Sequence, residues 1–271
     1  MSESQTIYGI DFSGAKEAGN KIWVAKGVPD GKALVIEACL KASELPNSGE
    51  DINVCLAALL NLVKSNPKAV YGFDFPFGLP HGLITEKTWE EWVLAFPKKY
   101  ENPEAFRRSC RQACKGKELK RQTDKESRTP FSSYNLRLYR QTYFGICSVL
   151  RPLVLGDYAR TLPMQKHAAG KPVVVEICPA STLKAAGLYG PYKRKSEVHR
   201  AARQSILDRL LCSSPFRIGN QHVRVKAIED TGGDALDSII AATAAFHAMK
   251  CDFIPRKGNR DLYAIEGYVF A

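Results

Sequence analysis

A chain of 271 residues that is 45% hydrophobic and 25% charged has the length for one large or two modest domains and the makeup of an ordinary soluble globular protein. Lys and Arg number 39 against 28 Asp and Glu, a net charge of +11, which is compatible with a polyanionic partner without identifying one. No apolar run approaches the roughly 18 residues of a membrane span, and Met1-Ser2-Glu3-Ser4-Gln5 lacks the basic-then-apolar form of a secretory signal, so the expected location is the cytoplasm, or a nucleoid or nucleus if the protein works on DNA.

Residues 5–12 read as a first strand, a short apolar run that reaches Asp11 and then meets Ser13-Gly14. Lys21–Gly27 and Ala33–Leu40 read as two more, turning at Pro29-Asp30-Gly31, and the short connections imply an antiparallel meander. Ile52, Leu56, Leu59, Leu60 and Val63 recur at helical spacing between Asp51 and Pro67. That helix leads to Val70-Tyr71-Gly72-Phe73-Asp74-Phe75-Pro76, a strand that should run parallel to one of the earlier ones because a helical crossover precedes it.

Residues 80–170 change character. Trp89, Trp92, Phe96, Tyr100 and Phe106 lie among charges, which predicts a mainly helical insertion between two pieces of core, 1–79 and 171–271. Its middle is basic, with Arg107, Arg108, Arg111, Lys115 and Lys117 prominent and aromatics such as Phe131, Tyr134 and Tyr139 following. Basic side chains hold phosphates and aromatic rings stack on bases; a solvated helical face over ordinary core aromatics is the competing description. Cys110 and Cys114 have no second Cys or His pair nearby, and Cys39, Cys55, Cys147 and Cys178 sit in apolar runs, the usage of reduced buried thiols.

The core resumes at Val173-Val174-Val175-Glu176-Ile177-Cys178-Pro179, a third strand with an acid near its end. Helical sequence follows around Ala180–Leu188 and Glu197–Leu211, carrying Lys193 nearby and Arg203 within it, both further candidates for phosphate contacts. Residues 221–228 alternate enough for a short strand or extended connection. After Gly232-Gly233 a small-residue helix begins, with Asp234 and Asp237 three apart and so on one face. Residues 262–270 can add an edge strand.

Carboxylates inside buried strands are costly unless paired, hydrogen-bonded or bound to metal. Asp11, Asp74, Glu176, Asp234 and Asp237 are the candidates, and several acids converging on one spot must share protons or bind cations. Oxygen-only ligation suits Mg²⁺ or Mn²⁺, and two such ions about 4 Å apart can activate water and stabilise the leaving oxygen of a phosphodiester. Asp11, Asp74, Asp234 and Asp237 would hold the ions, with Glu176 assisting, and the basic residues would hold nucleic acid. None of the five histidines stands in a recognisable nucleophile motif, and no P-loop or GxGxxG fingerprint occurs.

The order of elements, with Gly-Ile-Asp11, Phe-Asp74-Phe-Pro-Phe-Gly, Val-Glu176-Ile-Cys-Pro and Asp234-Ala-Leu-Asp237, resembles a family of predicted nucleases with the ribonuclease H fold, the domain-of-unknown-function family 429. The resemblance covers nearly the whole chain. It implies an α/β fold with a mixed five-stranded sheet flanked by helices, Asp11 and Asp74 on adjacent central strands, and Asp234 or Asp237 approaching from the last helix, as in the Holliday-junction resolvase branch. Glu176 is outside that pattern. Two other readings remain: a non-catalytic nucleic-acid-binding module of the same fold, and an actin- or sugar-kinase-like nucleotide-binding protein, whose first strand also carries Gly-Ile-Asp.

Overall fold

Eight strands and eleven α-helices are found in the computed structural model, which describes residues 5–213, 215–256 and 258–271. The predicted meander is β1 (Ile7–Asp11), β2 (Trp23–Asp30) and β3 (Ala33–Lys41), paired antiparallel. Helix α1 (Ile52–Lys64) starts where the Asp51 side chain accepts from the backbone N–H groups of Asn53 and Val54, a charged N-cap. It crosses over to β4 (Val70–Asp74), parallel to β1 with Asp11 directly beside Asp74. Strand β6 (Val173–Ile177) lies parallel on the far side of β4. The five predicted strands therefore form one continuous block in the order β3-β2-β1-β4-β6.

The sheet is wider than five. The 80–170 segment contributes β5 (Arg160–Leu162), parallel to β6, and two very short strands complete the edges: β7 (Phe216–Ile218) on β3 and β8 (Val269–Phe270) on β6. The tail expected as one edge strand is instead helix α11 (Arg260–Glu266) followed by β8. Residues 221–228 are helical too, within α9 (Gln221–Glu229), not a strand. Asn220 caps this helix by accepting from Val223 N–H at 3.1 Å, and Val223 and Ala227, four apart, are buried while Val225 is exposed. The period that packs is thus the helical one.

Helices cover both faces of the sheet. On one face α1 packs with the helices of the 80–170 segment: α2 (Trp89–Lys99), α3 (Pro103–Ala113), α4 (Gln122–Glu126), α5 (Tyr139–Gly145) and, after a π turn, α6 (Arg151–Leu155). Tyr8, Ile10, Tyr71, Phe73 and Val174 point into this layer and share one apolar core with Trp92, Phe96, Phe106 and Leu150. On the other face lie α7 (Pro179–Ala185), α8 (Glu197–Ser213), α9 and α10 (Asp234–Lys250), packed against Ile7, Ala25, Ile36, Val173 and Val175.

Helix α10 is pressed onto the sheet centre because the facing strands carry no side chains there. A Cβ on Gly9 would stand 2.1 Å from Ala242 N and Ser238 O, and one on Gly72 would stand 2.9 Å from Ala245 Cβ. Both glycines therefore allow a backbone approach that no larger residue permits. Side chains alternate along a strand, so Asp11 and Asp74, each two residues beyond its glycine, point to the α10 face.

Candidate active site

Four carboxylates meet where β1 and β4 end against the start of α10. Gly233, at φ +76°, precedes the helix, and Asp230 caps it in place of a side chain at that position, accepting from Asp234 N–H at 2.7 Å and Ala235 N–H at 3.0 Å. With these first-turn N–H groups served by Asp230, the Asp234 and Asp237 carboxylates are available elsewhere. One oxygen each from Asp11, Asp234 and Asp237 lies within 4.8 Å of the other two. Asp74 stands beside Asp11 in register and feels Asp237 as its strongest charged neighbour.

Electrostatics record the crowding. Burial first, and then the nearby acids, raise the Asp11 carboxyl well above the usual carboxylate range, against the opposing pull of Lys193. Burial and the charge of Asp237 push Asp74 up to about 8, and burial raises Asp234 as well. Asp11 is only 8% exposed and accepts no hydrogen bond from any described residue. Asp237, 3% exposed, is served on both oxygens: Tyr192 Oη donates to Oδ1 at 2.6 Å and Lys193 Nζ lies 2.6 Å from Oδ2.

These acids sit in a cavity of about 1020 Å³. Its walls bring the 80–170 segment (Phe131, Arg137, Arg140) opposite the loop after α7 (Tyr189, Lys193, Arg194). Cys178 also lines it, but burial and then the charge of Asp74 push its thiol up to about 12, so it is not poised as a nucleophile.

Glu176, expected with the other acids, lines the same cavity and its charge acts on Asp74, but its side chain leaves the sheet on the opposite face. It is in register with Phe73, one residue before Asp74, so its side chain points to the α1 side. There it is 2% exposed and ion-paired with Arg121, itself 1% exposed. Every N–H of the Arg121 guanidinium is used: by Asp124 through Nε and one terminal nitrogen, by both oxygens of Glu176, and by the carbonyl of Glu266 at 3.1 Å. Phe77 N–H completes the set on Glu176 at 2.9 Å. Burial raises the Glu176 carboxyl and Arg121 pulls it back. The arrangement ties β6 to α4 and to the end of α11.

The basic candidates divide similarly. Arg108, Lys115 and Lys117 are exposed on and after α3, with Arg107 and Arg111 partly so. Arg111 donates to the Gly116 carbonyl at 3.0 Å, and the Arg107 guanidinium lies over the Tyr139 ring. This surface meets the cavity at Arg140, which reaches both Glu104 of α3 and the Gly14 carbonyl, at 2.9 and 3.0 Å. Arg203, expected to contact phosphate, is instead 1% exposed and donates to the carbonyls of Ile228, Tyr192 and Arg194; its guanidinium is occupied inside the protein. Its place was readable, because Arg203, Leu207 and Leu210 share the buried face of α8. Tyr192, Asp230 and Arg121 had no comparable sequence signal, since each acts through a tertiary contact.

The fold and site define a mixed α/β protein with a carboxylate cluster in a cleft at the ends of parallel strands. No family model and no curated protein matches the chain, so the family resemblance rests on the motifs alone. Among solved structures, the yeast mitochondrial Holliday junction resolvase Ydc2 is similar over 92% of this chain and 86% of that one, with 11% identity and a TM-score of 0.37. Among the described residues no helix is long and apolar enough to cross a membrane.

Proposed function

We propose that the protein is a divalent-metal-dependent nuclease with a ribonuclease H-like core in residues 1–79 and 171–271, and that the 80–170 segment carries its polyanion-binding surface. One observation carries this reading: Asp11 is almost wholly buried, has no hydrogen-bond donor among the described residues, and faces three more carboxylates. A buried acid in that position is stabilised by a proton or a cation. The donor set is all oxygen, which fits Mg²⁺ or Mn²⁺.

Asp11, Asp74, Asp234 and Asp237 would hold the metal, which supplies Lewis acidity and an activated water for phosphodiester hydrolysis. The chain's own residues do the rest. Gly9 and Gly72 let α10 bring Asp234 and Asp237 to the strand ends, and Tyr192 orients Asp237 by its hydroxyl. Arg137, Arg140 and Arg194 line the approach for phosphates, and the exposed cations of α3 extend that approach outward. Glu176, paired with Arg121 at the edge of the same cavity, braces this frame. The actin- or sugar-kinase-like alternative, in which Gly14 would sit in a phosphate-contacting turn after the first strand, is disfavoured because backbone packs on that glycine: a Cβ there would stand 2.5 Å from the Arg140 carbonyl carbon.

The test is hydrolysis of a panel of single-stranded, duplex and branched DNA and RNA with Mg²⁺ or Mn²⁺, by wild type and Asp11→Asn. Cleavage by wild type alone, with nucleic-acid binding kept in the variant, is the expected result. Equal cleavage by both would remove the mechanism, and binding without cleavage under either ion would favour the non-catalytic binding module.

A further inference from the structure

The two sides of the carboxylate cluster are not equivalent. Asp11 accepts no hydrogen bond from any described residue, whereas Asp237 has Tyr192 on one oxygen and Lys193 on the other. The Lys193 ammonium also lies 3.4 Å from Asp234 Oδ1. It therefore already bridges the two acids of α10, which is what a cation shared between them would do.

The backbone on both sides of Lys193 is held for this. Buried Arg203 donates to the carbonyls of Tyr192 and Arg194 at 2.7 and 3.1 Å, while anchoring itself to Ile228 at 2.7 Å. Arg194 N–H bonds the Thr231 carbonyl at 2.9 Å, in the turn that leads into α10. The loop is thus stapled to the very segment that presents Asp234 and Asp237. The Lys193 side chain is nevertheless 49% exposed, and a lysine is a compact charge on a flexible stem, so it has a route out to solvent.

We propose that Lys193 is the resident cation of the Asp11–Asp234–Asp237 cluster, leaving room for one divalent ion beside it, and that a second ion enters only by displacing the ammonium. The inference rests on the metal-site reading above and adds to it a limit on ion number and affinity. Four carboxyl groups, once they release their protons to a metal, exceed one ammonium in charge, so a divalent ion is still attracted while Lys193 stays in place. A second divalent ion would meet that ammonium at contact distance, where like charges repel strongly even at an effective dielectric near 20.

The experiment is Mn²⁺ titration by calorimetry, with bound-ion counting by electron paramagnetic resonance, on wild type, Lys193→Ala and Lys193→Gln. Wild type should bind one ion tightly. Both variants should bind two, the second roughly tenfold or more tighter than any second ion in wild type. Thermal melts with chelator and with Mn²⁺ give a separate reading: the metal-induced rise in midpoint should be larger in the variants. If removal of the ammonium leaves Lys193→Ala poorly folded without metal, Lys193→Gln retains the stem and carries the same expectation. Equal ion number and affinity in all three, with hydrolysis intact, would overturn the role of Lys193 and leave the nuclease reading standing. Weaker binding in folded variants would also overturn it, making Lys193 an organiser of the ligands. No Mn²⁺ bound by any of the three would remove both.

Discussion

Without metal, the cluster should cost the protein stability, and replacing one of its acids should recover it. Asp74 is the group to change, because its carboxyl is pushed up to about 8 from 3.8 by burial and by Asp237. A carboxyl whose folded value lies above its unfolded one binds more protons when folded, so stability falls as pH rises between the two values. At about 1.36 kcal/mol per pH unit, the gap between the folded and unfolded values corresponds to at most about 6 kcal/mol above pH 8, and to about 2 kcal/mol at pH 5, where the folded carboxyl is protonated and the unfolded one mostly ionised. Asp74 keeps some contact with water in the cavity and shares its repulsion with Asp11 and Asp237, and solvent screening reduces the effect to about a third of these figures. Asp74→Asn should then be about 2 kcal/mol more stable than wild type at pH 9 in chelator, and under about 1 kcal/mol more stable at pH 5. Urea unfolding at the two pH values measures this directly. Saturating Mn²⁺ should favour wild type instead, through binding to the folded state alone. A variant no more stable than wild type at pH 9, or an advantage that does not grow with pH, would refute the account of Asp74 as a carboxyl raised by burial and by Asp237.

Glu176 should behave in the opposite way. Glu176→Ala strands two N–H donors of buried Arg121 and should cost about 3–5 kcal/mol in urea unfolding while Mn²⁺ binding at the cluster persists; lost binding with unchanged stability would place Glu176 at the metal. On α3, reversing Arg107, Arg108 and Arg111 to Glu should weaken nucleic-acid binding and flatten its dependence on salt, by about 0.9 in logarithmic slope for each phosphate contact removed. A slope identical to wild type would put the contact surface elsewhere.

Asp11 and Asp74 were legible because an acid inside a short apolar run, followed by Gly or Pro, is a local contradiction that a sequence displays. Glu176 displays the same contradiction and resolves it on the other face. The reason is that β1, β4 and β6 are buried on both sides, so their residues run apolar without alternation and nothing local tells which way a given side chain points. Only the register, Asp11 against Asp74 and Phe73 against Glu176, separates the two faces. The extra strands were unreadable for a simpler reason: β5, β7 and β8 are two or three residues long, below any pattern. In α9 the alternation of His222-Val223-Arg224-Val225-Lys226 imitates a strand, and the Asn220 cap with burial of Val223 and Ala227 decides for helix.

Lys193 and Arg203 make the same point about charge. Both look like members of one basic stretch, and their chemistry separates them. Arg203 lies on the face of α8 that also buries Leu207 and Leu210, where a cation is tolerated only if acceptors surround it. A guanidinium with a fixed fork of donors can satisfy several carbonyls at once, and it does so at Ile228, Tyr192 and Arg194. Lysine in that place would leave carbonyls without donors. Conversely, an arginine at 193 would bring a broad planar group into the gap between Asp234 and Asp237, where the ammonium fits as a point charge. The buried arginine fixes the loop, and the loop delivers the lysine. The positive charge that reaches the cluster is therefore set by a residue that itself never touches an acid of the site.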